Sequence, residues 1–96
     1  MEIKFTSGAE EYFPSKIIQL EKSDIEERKI RKIKDIIKYL YEKYPLCREK
    51  LFSKELSLCP GMLCCLDECD WELFGGEESD LTENSRILFL STIHGG

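Results

Sequence analysis

The residues best suited to chemistry stand at the end of the chain, where Thr92, Ile93 and His94 lead into Gly95-Gly96. Glycine has no Cβ, so backbone built from it threads passages too narrow for any side chain. A carboxylate on such a tether can be delivered into another protein's active site, with Gly96 as the reacting residue. The alternative is a free end or an engineered scar with no role. His94 invites a general-base reading, yet a lone histidine on a tail lacks an orienting partner. Recognition of its ring, together with Thr92, Ile93 and Gly95, by an enzyme that grips the tail is a stronger expectation than catalysis, and an indifferent exposed residue stays open beside it. No catalytic residue is assigned to the chain itself. It carries no P-loop, since Gly75-Gly76 precedes acids rather than Lys-Ser/Thr.

The five cysteines are Cys47, Cys59, Cys64, Cys65 and Cys69. An odd number, with two adjacent, suits free thiols and a reducing compartment, cytoplasmic or nuclear. A structural zinc site draws on two short Cys hooks in loops. Here Cys64 and Cys65 point to opposite sides of a strand, so no metal is expected. Cys47, Cys59 and Cys69, read as loop residues, are the candidates for redox reactivity.

The 96 residues hold 14 Lys+Arg and 19 Asp+Glu, for a net charge of −5. That balance argues against a dedicated nucleic-acid binder, and no direct nucleic-acid contact is expected. The charge is uneven. Arg28, Lys29, Arg31, Lys32, Lys34 and Lys38 cluster in one segment, whereas acids crowd the stretch from Asp67 to Glu83. Such asymmetry can orient docking on a charged partner, and it also describes two solvated faces. No apolar run approaches membrane-spanning length, and no basic-then-apolar leader opens the chain.

These residues need a frame to position them. Met1–Thr6 alternates with Ile3 and Phe5 on one face and Glu2 and Lys4 on the other, which predicts a half-buried strand. Ser7-Gly8-Ala9 is turn material, and Lys16–Leu20 reads as the returning strand. From Ser23 the period changes. Ile30, Ile33, Ile37, Leu40 and Tyr44 form one apolar stripe flanked by Ile36 and Tyr41. A capping box of Ser23 and Glu26 predicts a single helix that Pro45 stops. Leu51-Phe52 is expected to plug the core. Met62–Leu66 reads as a strand and Asp67–Asp70 as a polar turn into a short strand at Trp71-Glu72-Leu73. Gly75–Ser85 is loop and Arg86–Ser91 the last strand. One helix covers one face of such a sheet, which is an α+β domain. The expected boundaries are residues 1–91 for the domain and 92–96 for a flexible tail.

The terminal diglycine and this element order resemble the β-grasp fold of ubiquitin and its sulfur-carrier relatives. The local wording is more specific. Pro60-Gly61, the apolar strand and Asp70-Trp71-Glu72-Leu73 are similar to a stretch of the ubiquitin-related modifier family, as is the ending Leu90-Ser-Thr-Ile-His-Gly-Gly96. Gly8-Ala9-Glu10 and Leu51-Phe52 also fit, and the likeness spans nearly the whole chain. The cysteines at Cys64, Cys65 and Cys69 and the charged approach Glu21–Lys29 depart from the family's pattern. The resemblance implies a mixed sheet of about five strands with one main helix on one face.

It further implies a carrier and substrate rather than an enzyme. The expected partner is an adenylyltransferase/sulfurtransferase of the ubiquitin-activating type. That enzyme binds ATP; this chain is expected to hold no cofactor of its own. Adenylation of Gly96 followed by sulfur transfer would give a thiocarboxylate. A tRNA thiouridylase complex would take its sulfur for 2-thiolation of wobble uridine, and lysines of target proteins would be acylated by the same tail. Two other readings stay open: a modifier acting only by conjugation, and a β-grasp binding module with incidental glycines.

A tail alone gives little affinity. Alternation turns Ile87 and Phe89 toward the helix and leaves Leu88 and Leu90 on the open sheet face. By the same parity Met62, Cys64 and Leu66 point inward, and Leu63 and Cys65 outward. The β-grasp resemblance brings the two strands together, so Leu63, Cys65, Leu88 and Leu90 form the expected docking patch of a monomer. Trp71 is expected at the core edge.

Overall fold

The computed structural model describes residues 1–92. Strand β1 (Glu2–Thr6) buries Ile3 and Phe5 and exposes Lys4, as its alternation requires. A one-turn 3-10 helix at Ala9–Tyr12 links it to β2 (Ile17–Gln19), which pairs antiparallel with β1. Helices α1 (Lys22–Glu27) and α2 (Ile33–Lys43) follow. Strands β3 (Met62–Leu66), β4 (Cys69–Asp70) and β5 (Arg86–Ser91) complete a sheet of order β2-β1-β5-β3-β4. β5 is therefore central, parallel to β1 and antiparallel to β3. The α+β fold read from the sequence stands, with α2 laid on one face of a five-stranded mixed sheet.

The core lies between α2 and that face. Ile33, Ile36, Ile37 and Leu40 meet Ile3, Phe5, Ile87 and Phe89, all at most 1% exposed. Leu51 and Phe52 fill one end, with the Phe52 ring edge-on to Phe89 at 5.1 Å. Fully burying one such side chain stabilises by about 1.5–3 kcal/mol, so this layer dominates the fold. Trp71 also joins the core, 8% exposed.

The single long helix is corrected to two. Lys29 takes φ 55°, its N–H donates to the Glu26 carbonyl, and the Ile30 N–H donates to the Ile25 carbonyl. Those two bonds are a Schellman stop, completed by burial of both Ile25 and Ile30. The expected Ser23/Glu26 box is not what starts α2. The Asp35 carboxylate accepts from the Arg31 and Lys32 N–H groups at 2.9 Å, and the Ser79 carbonyl accepts from the Ile33 N–H. The donors left over at a helix start are thereby satisfied from two directions.

The short strand also moves. Asp67 and Glu68, both at positive φ, make the whole turn, so β4 is Cys69–Asp70 and Trp71–Phe74 forms a 3-10 turn capped by Asp70. A two-residue turn with both angles positive matches the twist of a tight hairpin. The Trp71 side chain leaves the ladder and turns into the core.

Candidate functional site

On the sheet face away from α2, the register sorts side chains into rows. Thr6, Leu90 and Leu63 lie across one row, and Ile17, Lys4, Leu88, Cys65 and Asp70 across the next. The predicted docking residues are thus two cross-strand pairs, Leu63 with Leu90 and Cys65 with Leu88. Leu63 is 49% exposed, and the other three are half-buried. Their inward counterparts Met62, Cys64, Leu66, Ile87 and Phe89 are buried, as parity predicts.

The face is graded along the strands. The apolar pairs lie toward the end of β5, whereas its start carries Arg86 against Glu68 at 2.8 Å, beside Glu2. Lys4, Glu2, Arg86 and Glu68 border a shallow cavity of about 340 Å³ that also reaches Cys65 and Leu88. This charged rim, and Ile17 at 43% exposure on the β2 edge, did not emerge from the sequence reading. The signal was present in the outward parity of Glu2 and Lys4, but only the register puts Lys4 beside Leu88.

The end of β5 is anchored. The Thr92 N–H and Oγ1 both donate to the Gly61 carbonyl, at 2.7 and 2.8 Å. Gly61 holds φ 90°, a left-handed angle suited to glycine, and so turns the chain into β3 there. Ile93, His94, Gly95 and Gly96 lie outside the described residues, so the tail readings rest on sequence.

The thiols separate by burial. Cys47 is buried, its Sγ donating to the Leu40 carbonyl at 3.5 Å, and burial raises its pKa to about 11. This corrects its reading as a reactive loop residue. Burial pushes Cys64 higher still, and raises Cys59 and Cys65 more modestly. Cys69 is exposed, on β4 rather than in a loop. Among the described residues no group of three or more His, Cys, Asp or Glu could hold a metal ion.

A helix laid across a five-stranded mixed sheet, with the last strand at its centre and an apolar patch on the open face, defines a ubiquitin-like β-grasp protein. The family model described as Urm1 (Ubiquitin related modifier) matches residues 1–96. The Ubiquitin-related modifier 1 homolog of Dictyostelium discoideum is 34% identical over 97 residues, covering 100% of this chain and 98% of that one. The solution structure of Urm1 from Trypanosoma brucei superposes with a TM-score of 0.79 at 26% identity, covering 99% of this chain and 93% of that one. A chain of the Amycolatopsis orientalis BexX/CysO complex shares the fold at a TM-score of 0.68 and 13% identity, covering 99% and 98%. This chain belongs to the ubiquitin-related modifier family.

Proposed function

We propose that the chain is a sulfur carrier whose reactive group is the Gly96 carboxylate. A carboxylate is a poor electrophile, because its charge is delocalised and it has no good leaving group. An activating partner would use ATP to form the acyl-adenylate, releasing pyrophosphate. A persulfide on that partner then attacks the acyl carbon and expels AMP. A second thiol reduces the resulting acyl disulfide, ending in a disulfide with the cysteine that carried the persulfide and leaving the thiocarboxylate. Sulfur suits this step because it is polarisable and readily anionic. The thiocarboxylate would donate sulfur to a tRNA thiouridylase for 2-thiolation of wobble uridine, and the activated tail would also acylate lysines of target proteins.

The observation that carries this reading is the relation of the last strand to the open face. β5 is the central strand, it ends in the Thr92–Gly61 anchor, and Leu90 and Leu63 lie side by side next to that end. An enzyme seated on Leu63, Cys65, Leu88 and Leu90 would hold the domain at the point from which residues 93–96 depart. Covering a few hundred Å² at about 25 cal/mol per Å² gives several kcal/mol before association costs, enough for transient docking. The family membership supports the same reading, and the complex of a like-folded chain gives precedent for partner binding.

The test is in vitro thiocarboxylation. The protein is incubated with its activating enzyme, ATP and thiosulfate, and its intact mass is read. Exchange of one oxygen for sulfur, absent when Gly96 is deleted, is the expected result. Failure to gain sulfur removes the carrier role. High-mass adducts with normal tRNA thiolation in cells lacking the gene would leave only conjugation.

A further inference from the structure

The basic segment singled out in the sequence has no part in the tail or the open sheet face. In the structure its charges divide. Lys32 pairs with Asp80 at 2.9 Å and Lys34 with Glu78 at 2.9 Å, so these two pin α2 to the acidic segment. The Asp35 carboxylate is engaged with backbone N–H groups at the start of α2. Apart from Arg31, whose guanidinium donates to the Ile30 carbonyl at 3.1 Å, what remains is Arg28, Lys29 and Lys38, none of them in an ion pair among the described residues.

These three line one concavity of about 390 Å³ at the elbow between α1 and α2, with Ile30 and Tyr39 also lining it. Two carboxylates, Asp35 and Glu42, line it as well, and that of Asp35 is already engaged by the Arg31 and Lys32 N–H groups. The Arg28 guanidinium lies 4.8 Å from the centre of the Tyr39 ring, and Lys43 lies 5.5 Å from the same ring while donating to its hydroxyl. Tyr39 is buried, so it fixes two cations against a rigid support. Lys29 is itself the left-handed residue that ends α1, a position where glycine is usual, and it is exposed. The elbow is thus a preformed cluster of cations, on the helix side of a protein whose net charge is −5.

We propose that this elbow is a docking groove for an acidic segment of a partner protein, whose carboxylates are taken by Arg28, Lys29 and Lys38. Charge complementarity selects that occupant. Arg28 offers a planar fork for a carboxylate, and the two lysines offer point charges on either side. The overall negative charge of the chain repels a long polyanion such as RNA more than a short acidic peptide. Because α2 covers the opposite side of the sheet from Leu63 and Leu88, the groove stays open while the sheet face is occupied. The inference goes beyond the carrier reading and does not depend on it.

The test titrates isotope-labelled full-length protein with a short synthetic peptide of alternating glutamate and glycine at low ionic strength. Amide shifts should concentrate at Lys29, Ile30, Lys38 and Tyr39. They should fade toward physiological salt, where the Debye length falls to about 8 Å. The combined variant Arg28→Gln, Lys29→Gly, Lys38→Gln should weaken binding about tenfold, as expected for three screened contacts. If that variant proves misfolded by circular dichroism, Lys38→Gln alone should still reduce affinity. The proposal is overturned if no shifts appear at low salt, if they spread evenly over remote lysines such as Lys16 and Lys54, or if an oligouridylate binds the elbow more tightly than the peptide. Loss of thiocarboxylation with intact peptide binding would remove the carrier reading and leave this one standing.

Discussion

Lys29 occupies a backbone angle that costs an L-residue about 1 kcal/mol or more and costs glycine nothing. Lys29→Gly should therefore raise stability by about 0.5–1 kcal/mol, offset in part by the freer unfolded chain. Urea denaturation reads this directly, and a loss of stability would mean that the lysine stem packs at the elbow. The thiols give a second expectation at single residues. Cys47 and Cys64 are protonated in the fold at pH values where free cysteine, with a pKa near 8.5, ionises. The native state then holds more protons than the unfolded one. The stability these thiols contribute is complete below about pH 8.5 and falls as pH rises, by up to about 1.4 kcal/mol per unit per thiol. For Cys47 that decline runs to about 11. Cys64→Val should flatten the alkaline limb of the stability profile. In native protein, alkylation followed by peptide mapping should find Cys69 modified first and Cys47 and Cys64 last.

The elements explain which parts of the fold could be read in advance. β1 was legible because strict alternation leaves one arrangement that buries Ile3 and Phe5, whereas β3 and β5 read as strands because they are short, continuous apolar runs, with Cys64, Ile87 and Phe89 assigned inward by parity. The break between α1 and α2 was not. Its stop rests on a lysine where glycine is the usual sign, and its restart uses the carbonyl of Ser79, distant in sequence. The Ser23/Glu26 pattern satisfied the local rule while the long-range partner decided the outcome. β4 was misplaced for a similar reason: Asp67-Glu68 carries no glycine, yet both residues take positive φ. The outward residues Leu63, Cys65, Leu88 and Leu90 were legible from parity, but bringing them together took the family resemblance, and their charged neighbours needed the register. Asp35→Ala should cost about 1 kcal/mol as the cap at the start of α2 is lost, measured as a lowered denaturation midpoint. Within β5, neighbouring residues should behave oppositely. Leu88→Asp, on the open face, should weaken binding to the activating enzyme with little change in stability. Ile87→Asp should unfold the domain by placing a carboxylate in the core. Unfolding by Leu88→Asp would show that this face is packed rather than presented.

For the whole molecule, the carrier reading proposed above places the reactive group outside the part of the chain that forms the core. Among the described residues every member of the buried core lies between Met1 and Phe89, and the sheet's last strand closes on Gly61 through Thr92. β5 is gripped on both sides, by β1 over Glu2–Thr6 and by β3 over Met62–Leu66. A central strand opens only when the sheet comes apart, so a pull on the tail by a partner meets the full cooperativity of the domain. Truncation after Thr92 removes none of these contacts. It should leave the thermal midpoint within a degree or two of the intact chain, since a shift of several degrees requires about 1 kcal/mol. The same truncation should abolish thiocarboxylation while the activating enzyme still binds the sheet face, with affinity reduced only by the lost tail contacts. Calorimetry and binding measured on one preparation separate the two effects. If truncation lowers the midpoint substantially, residues 93–96 belong to the fold, and the division between scaffold and reactive end fails. If it leaves carrier activity in place, the chemistry resides elsewhere in the chain.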